Sequence, residues 1–117
     1  VIFSYELNSH EISKRLLNDN TKHLTIKFLN FLTDKLECKI PEINQQIKSI
    51  IIKNINTIKG LILDEDRTVV ISSLKVFLNL TALNLVDEKL VKLVIPLLYS
   101  NEHLIRELTA KIIFNFV

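Results

Sequence analysis

The sequence predicts an all-α fold built from repeated, stacked helices, and three observations predict it. Apolar residues recur at intervals of three and four along most of the chain, the spacing that lines one face of a helix. One glycine and two prolines in 117 residues leave almost no material for tight hairpins or glycine-rich phosphate loops, which need positive φ or close backbone approach. A motif of apolar pair, short polar turn and amphipathic helix occurs three times.

The opening residues are expected to be helical, and Ser9 is placed to cap a short helix carrying Ile12, Leu16 and Leu17. Asn18-Asp19-Asn20 breaks it. From Thr21 the apolar positions Leu24, Phe28, Phe31, Leu32 and Leu36 predict a helix ending near Cys38, with Lys22, Lys27 and Asp34 pointing away. Pro41 suits the first turn of the next helix, where a missing N–H costs nothing, and Glu42 complements the positive end of its dipole. That helix is expected to reach about Leu63, with Ile43, Ile47, Ile50, Ile51, Ile55, Ile58 and Ile62 as a broad apolar stripe and Gly60 at its weakening end.

Asp64-Glu65-Asp66 reads as a polar break that caps the following helix, in which Val69, Leu74, Phe77, Leu78 and Leu80 face inward as far as Asn84. Asp87-Glu88 opens another helix through Leu90, Leu93 and Val94, which Pro96 should kink or end. Ser100-Asn101-Glu102 caps the last one, from about His103 onward.

A hydrophobic fraction of 48% and a mean hydropathy of +0.27 fit a chain with a sizeable core and exclude a disordered tail. Charges of both signs are interspersed, and the formal net charge of +2 describes a solvated surface and not a polybasic arm. Cys38 is the only cysteine, so an internal disulfide is impossible, and a reducing, intracellular compartment, cytoplasmic or nuclear, is expected. Cys38 itself reads as a small buried hydrophobe. The longest apolar run, Val69 to Val86, is interrupted by Lys75, Asn79 and Asn84, so no membrane span is expected. Both ends read as cut from a longer protein, because the chain begins Val1-Ile2-Phe3 and stops on an apolar helix without a stop signal.

The three recurring breaks can be superimposed. Leu16-Leu17-Asn18, Leu61-Ile62-Leu63-Asp64 and Leu97-Leu98-Tyr99-Ser100 open the copies. Leu24, Val69 and Ile105 then follow at matching places, as do Leu29, Leu74 and Ala110, and then Phe31-Leu32, Val76-Phe77 and Ile112-Ile113. Asn79 falls on Asn115 at a spacing of 36, and the first copy leads the second by 45. Repeats of that length, at approximately 9–38, 41–84 and 87–117 within one unit spanning 1–117, indicate an α-solenoid whose neighbouring repeats must stack to bury their apolar faces.

Over 88–117 the chain resembles the armadillo and HEAT repeat families. Leu90-Val91-Lys92-Leu93-Val94-Ile95-Pro96-Leu97-Leu98 is similar to the second armadillo helix, and Asn101 to Asn115 to the third. The resemblance implies a right-handed α-α superhelix and a non-catalytic scaffold that binds a protein or an extended peptide. In armadillo proteins the third helix lines the concave groove, and an asparagine near its end often binds peptide backbone; Asn79 and Asn115 occupy that place. Ser73 and Thr109 supply the small residue six positions earlier, whereas the first copy has Phe28 and Asp34, and there is no tryptophan. The tryptophan and asparagine ladder of importin-α is therefore incomplete. Phe114-Asn115-Phe116 also resembles the ending of the armadillo-like PUL domain, which binds an AAA ATPase.

The candidate partner-binding residues are thus Asn79 and Asn115, whose amides can pair with a peptide backbone, with Lys75 and Lys111 one turn earlier to steer an acidic partner. The bland reading makes all four ordinary polar residues on helix surfaces. His10, His23 and His103 lack ligand spacing, so no metal or other cofactor is expected. Asp64, Glu65 and Asp66 are adjacent loop acids, which suits capping better than a hydrolytic pair across a cleft. No catalytic signature is present, and no enzyme activity or small-molecule substrate is expected. Between Lys14 and Lys59 nine basic residues face four acidic ones, which keeps open an alternative function, a helical domain that grips nucleic-acid phosphates.

Overall fold

Polar breaks in the sequence become helix boundaries through side chains that satisfy the open backbone N–H groups of a first turn. Asp66 accepts from the Thr68 N–H at 2.9 Å and Asp87 from the Leu90 N–H at 3.0 Å. The Ser100 hydroxyl accepts from the Glu102 N–H at 3.1 Å just ahead of the last helix. The computed structural model describes residues 9–34, 41–82 and 84–116. The expected opening helix, Leu36 and Cys38 lie outside the described residues, as do the side chains of Ser9, Pro41 and Ile43.

The helices are α1 (Ser9–Leu17), α2 (Lys22–Asp34), α3 (Pro41–Leu61), α4 (Arg67–Thr81), α5 (Glu88–Val94) and α6 (His103–Phe116), with a 3-10 helix, η1 (Ile95–Tyr99), between the last two. No strand occurs among the described residues. Helix α5 ends at Val94, just ahead of Pro96, as the sequence indicates. The chain tightens into η1 with the proline in its first turn, where its missing N–H leaves no gap. Helix α4 stops at Thr81 rather than Asn84. Asn84 takes φ 58°, and the bonds from Leu85 N–H to the Leu80 carbonyl and from Asn84 N–H to the Thr81 carbonyl satisfy the last turn in a Schellman arrangement.

Helix α4 is the centre of the core. Val69, Leu74, Val76 and Phe77 are fully buried, and α4 packs most extensively against α2 on one side and α6 on the other. These three helices run parallel, because their starts touch one another and so do their ends. At the start, Lys22 meets Asp64 and Arg67 meets Glu102. At the far end, Asn79 reaches Thr33 and Asn115 reaches Thr81. Chains that run parallel must be joined by returning segments, here α3 and then α5 with η1. Helix α3 packs on α1 through the buried Asn54, whose Oδ1 accepts from the Ser13 hydroxyl at 2.6 Å while its amide donates to the Ile50 carbonyl. The radius of gyration, 13.8 Å, is close to the roughly 13 Å of a compact 100-residue domain.

The buried face of α2 is only partly the one that apolar spacing indicates. Leu32 is buried and Phe28 packs against the core, but two other residues of the expected stripe face outward. Leu24 and Phe31 are 69% and 58% exposed, whereas Thr25, Ile26, Leu29, Leu32 and Thr33 are buried. Two hydroxyls make this possible, since Thr25 donates to the Thr21 carbonyl and Thr33 to the Asn30 carbonyl. Each enters the core without an unsatisfied polar atom. Nor does Lys22 point away, for its ammonium lies 2.6 Å from Asp64. Along α3, by contrast, Ile47, Ile50, Ile51 and Ile58 are buried as the stripe indicates, and Ile62 joins them just past the helix end.

Burial varies among the positions that the sequence superposition pairs. Val69 and Ile105 are buried at matching places but Leu24 is exposed, and Ala110 is exposed opposite buried Leu29 and Leu74. Between α4 and α6 the spacing of 36 holds for Val69 and Ile105, for Ser73 and Thr109 and for Val76 and Ile112, all buried. Between α2 and α4 the inward residues match at 48. Thr25, Ile26, Leu29, Leu32 and Thr33 correspond to Ser73, Leu74, Phe77, Leu80 and Thr81. The turns preceding the helices keep the spacing of 45, and the extra residues lie within the longer α4.

Candidate functional site

Asn79 and Asn115 sit near the ends of two adjacent parallel helices, α4 and α6, one turn beyond Lys75 and Lys111 respectively. The fold therefore brings the four sequence-predicted residues onto neighbouring helices. Both asparagine amides are engaged within the chain. Asn79 Nδ2 donates to Thr33 Oγ1 at 2.9 Å and approaches Asn30 Oδ1 at 3.4 Å, and Asn115 Nδ2 donates to Thr81 Oγ1 at 3.1 Å. The accepting hydroxyls are matched as well, each donating to the carbonyl three residues earlier in its own helix, Thr33 to Asn30 and Thr81 to Leu78. The same asparagine-to-threonine clasp thus joins α2 to α4 and α4 to α6.

A peptide bound by these amides would have to displace the clasps or use the carbonyl side of each group. Lys75 is half-buried, and Lys111 is exposed with its ammonium 3.9 Å from Glu107. The threonines that complete the clasps were not indicated by apolar spacing. The signal that marks them is a hydroxyl residue in phase with the buried stripe near a helix end.

At the opposite end of the three helices the contacts are electrostatic. Lys22 Nζ lies 2.6 Å from Asp64 Oδ2 and 3.3 Å from Asp19 Oδ1. The Asp64 bond holds the Lys22 ammonium above its usual range, and the Lys22 bond holds the Asp64 carboxyl below the usual carboxylate range. Asp66 is also lowered, chiefly by the bond from the Thr68 hydroxyl, and Asp87 chiefly by the Leu90 N–H. All three acids are therefore occupied with holding the fold. Among the described residues no group of three His, Cys, Asp or Glu is placed to hold a metal ion, and no helix is long and apolar enough to cross a membrane.

One concavity stands apart from these contacts. A cavity of about 210 Å³ lies between α3 and the segment entering α5. Its floor is Phe77 and Leu80 of α4, and its walls are Ile51 and Ile55 on one side and Val86 and Leu90 on the other. Lys59 and Asp87 stand at its edge with Nζ and Oδ1 4.0 Å apart. No local pattern announces this space, because it depends on how far α5 stands from α3.

No protein-family model matches this chain, and no curated protein and no solved structure matches it.

Proposed function

We propose that the chain is a non-catalytic protein–protein interaction scaffold of the armadillo or HEAT type, a right-handed α-α superhelix acting within a larger intracellular protein or complex. The observation that carries this reading is the repetition of contacts. The link from Lys22 to Asp64 recurs as Arg67 to Glu102, and the link from Asn79 to Thr33 recurs as Asn115 to Thr81. Successive units that join by the same bonds are the building principle of solenoids, in which each repeat contacts mainly its neighbours. The row formed by Lys75, Asn79, Lys111 and Asn115 is the surface offered to an acidic or extended partner.

The competing reading, phosphate binding by the basic 14–59 region, is favoured by one feature. Among the described residues Lys14, Lys27, Lys48 and Lys53 stand outside the ion pairs, whereas Arg15, Lys22 and Lys59 lie within them. A pull-down from source lysate separates the two, comparing the wild-type chain with a Lys75→Glu/Lys111→Glu variant of unchanged melting temperature, each with and without nuclease. Protein partners that resist nuclease and disappear with the variant are the expected result. Partners that vanish with nuclease and ignore the variant would replace the scaffold reading with the nucleic-acid one.

A further inference from the structure

We propose that the cavity between α3 and α5 is a binding site for a small apolar molecule bearing a single carboxylate. This inference stands independently of the scaffold reading, since it uses none of the residues on the Asn79 and Asn115 surface.

The lining is almost wholly aliphatic and aromatic, with Phe77 and Leu80 buried beneath it and Ile52 and Leu85 exposed at the mouth. Burying an apolar molecule there removes both its surface and these side chains from water. The volume, about 210 Å³, exceeds the roughly 150 Å³ of an apolar cavity that accepts benzene. A ring with a short chain is therefore a suitable size.

The charge of the ligand follows from the edge. Lys59 lines the cavity, and its ammonium carries three donors. The acidic oxygen nearest to it among the described residues is Asp87 Oδ1 at 4.0 Å, too far for a hydrogen bond. That same oxygen already accepts from the Leu90 N–H as the cap of α5. A carboxylate at the mouth would give the Lys59 ammonium a direct charge-assisted partner without disturbing the cap. A ligand amine would instead meet the Lys59 ammonium as a like charge.

Three isosteric probes test this by calorimetry on the full chain: 4-phenylbutyrate, 4-phenylbutan-1-ol and 4-phenylbutylamine. The expected order is acid, then alcohol, then amine, with the acid at least fivefold tighter than the alcohol. Lys59→Met should bring the acid down to the alcohol's affinity while leaving the alcohol unchanged. Ile55→Phe, which fills the cavity from a half-buried position, should abolish binding of all three in a chain whose melting curve shows it folded. Absence of binding by every probe, equal affinity for acid and alcohol, or binding that survives Ile55→Phe would overturn the proposal.

Discussion

Lys22, the first residue of α2, and Asp64, in the turn ahead of α4, form an ion pair at 2.6 Å that closes one end of the parallel layer. Both side chains are largely shielded, at 21% and 11% exposure, so the contact is screened less than an ordinary surface pair. Its pH dependence follows from opposite shifts. The Asp64 carboxyl is lowered from 3.8, so its contribution is complete above that value and is lost as pH falls through the depressed one. The Lys22 ammonium is raised from 10.5, so its contribution is complete below that value and is lost as pH rises through the elevated one. Denaturation midpoints should be level between about pH 5 and pH 9 and fall on either side. In Asp64→Asn the alkaline fall should flatten, while part of the acid fall persists because Asp66 and Asp87 are lowered as well. An alkaline limb unchanged by the substitution would show that the pair does not form in solution.

The asparagine clasps predict a measurable but unequal coupling. Replacing Asn79 by Ala removes the bond to Thr33 without orphaning the threonine, whose hydroxyl still donates to the Asn30 carbonyl. A double-mutant cycle with Thr33→Val should give a coupling of about 0.5–1.5 kcal/mol, the net range for one intramolecular hydrogen bond. The equivalent cycle on Asn115 and Thr81 should give less, because Asn115 is exposed in the last turn of α6. Couplings near zero in both cycles would remove the clasps as a source of stability.

Capping and α3 were the most legible parts of the fold, and the inward face of α2 the least. Asp66 and Asp87 sit where polar breaks meet apolar periodicity, a signal carried by neighbouring residues alone. Ile47, Ile50, Ile51 and Ile58 leave α3 with little choice of face. In α2 two stripes compete, and the winner includes Thr25 and Thr33, whose hydroxyls are satisfied by their own helix. Counting apolar residues cannot see that satisfaction. The candidate asparagines were legible as a matched pair at a spacing of 36, but their partners, Thr33 and Thr81, lie 46 and 34 residues away and become neighbours only once the helices are parallel.

Phe77 and Phe114 should separate core from surface sharply. Phe77 is fully buried at the centre of α4, and Phe77→Ala should cost about 3–5 kcal/mol through lost burial and the cavity left behind. Phe114 is 81% exposed on α6, and Phe114→Ala should change stability by no more than about 0.5 kcal/mol in either direction. Urea denaturation of the two variants checks both values, and a comparable loss from each would mean that α6 packs the other way round.

Gly60 lies in the last turn of α3, at an exposed position without positive φ. A glycine there costs backbone entropy on folding and gives nothing back in conformational freedom. A Cβ built at this position meets no atom within 4 Å, so alanine brings no clash with Leu63 or Asp64 in the turn that follows. Gly60→Ala should therefore stabilise the chain by about 0.5–1 kcal/mol, through higher helix propensity and a more restricted unfolded state. The carbonyl of residue 60 must still accept from the Leu63 N–H at 3.1 Å, a bond of the right-handed helix end that alanine can keep. Guanidine midpoints of the two chains decide the matter. A lower midpoint for the variant would show that the end of α3 needs a left-handed residue at position 60 in solution, and the turn into α4 would then have to be redrawn.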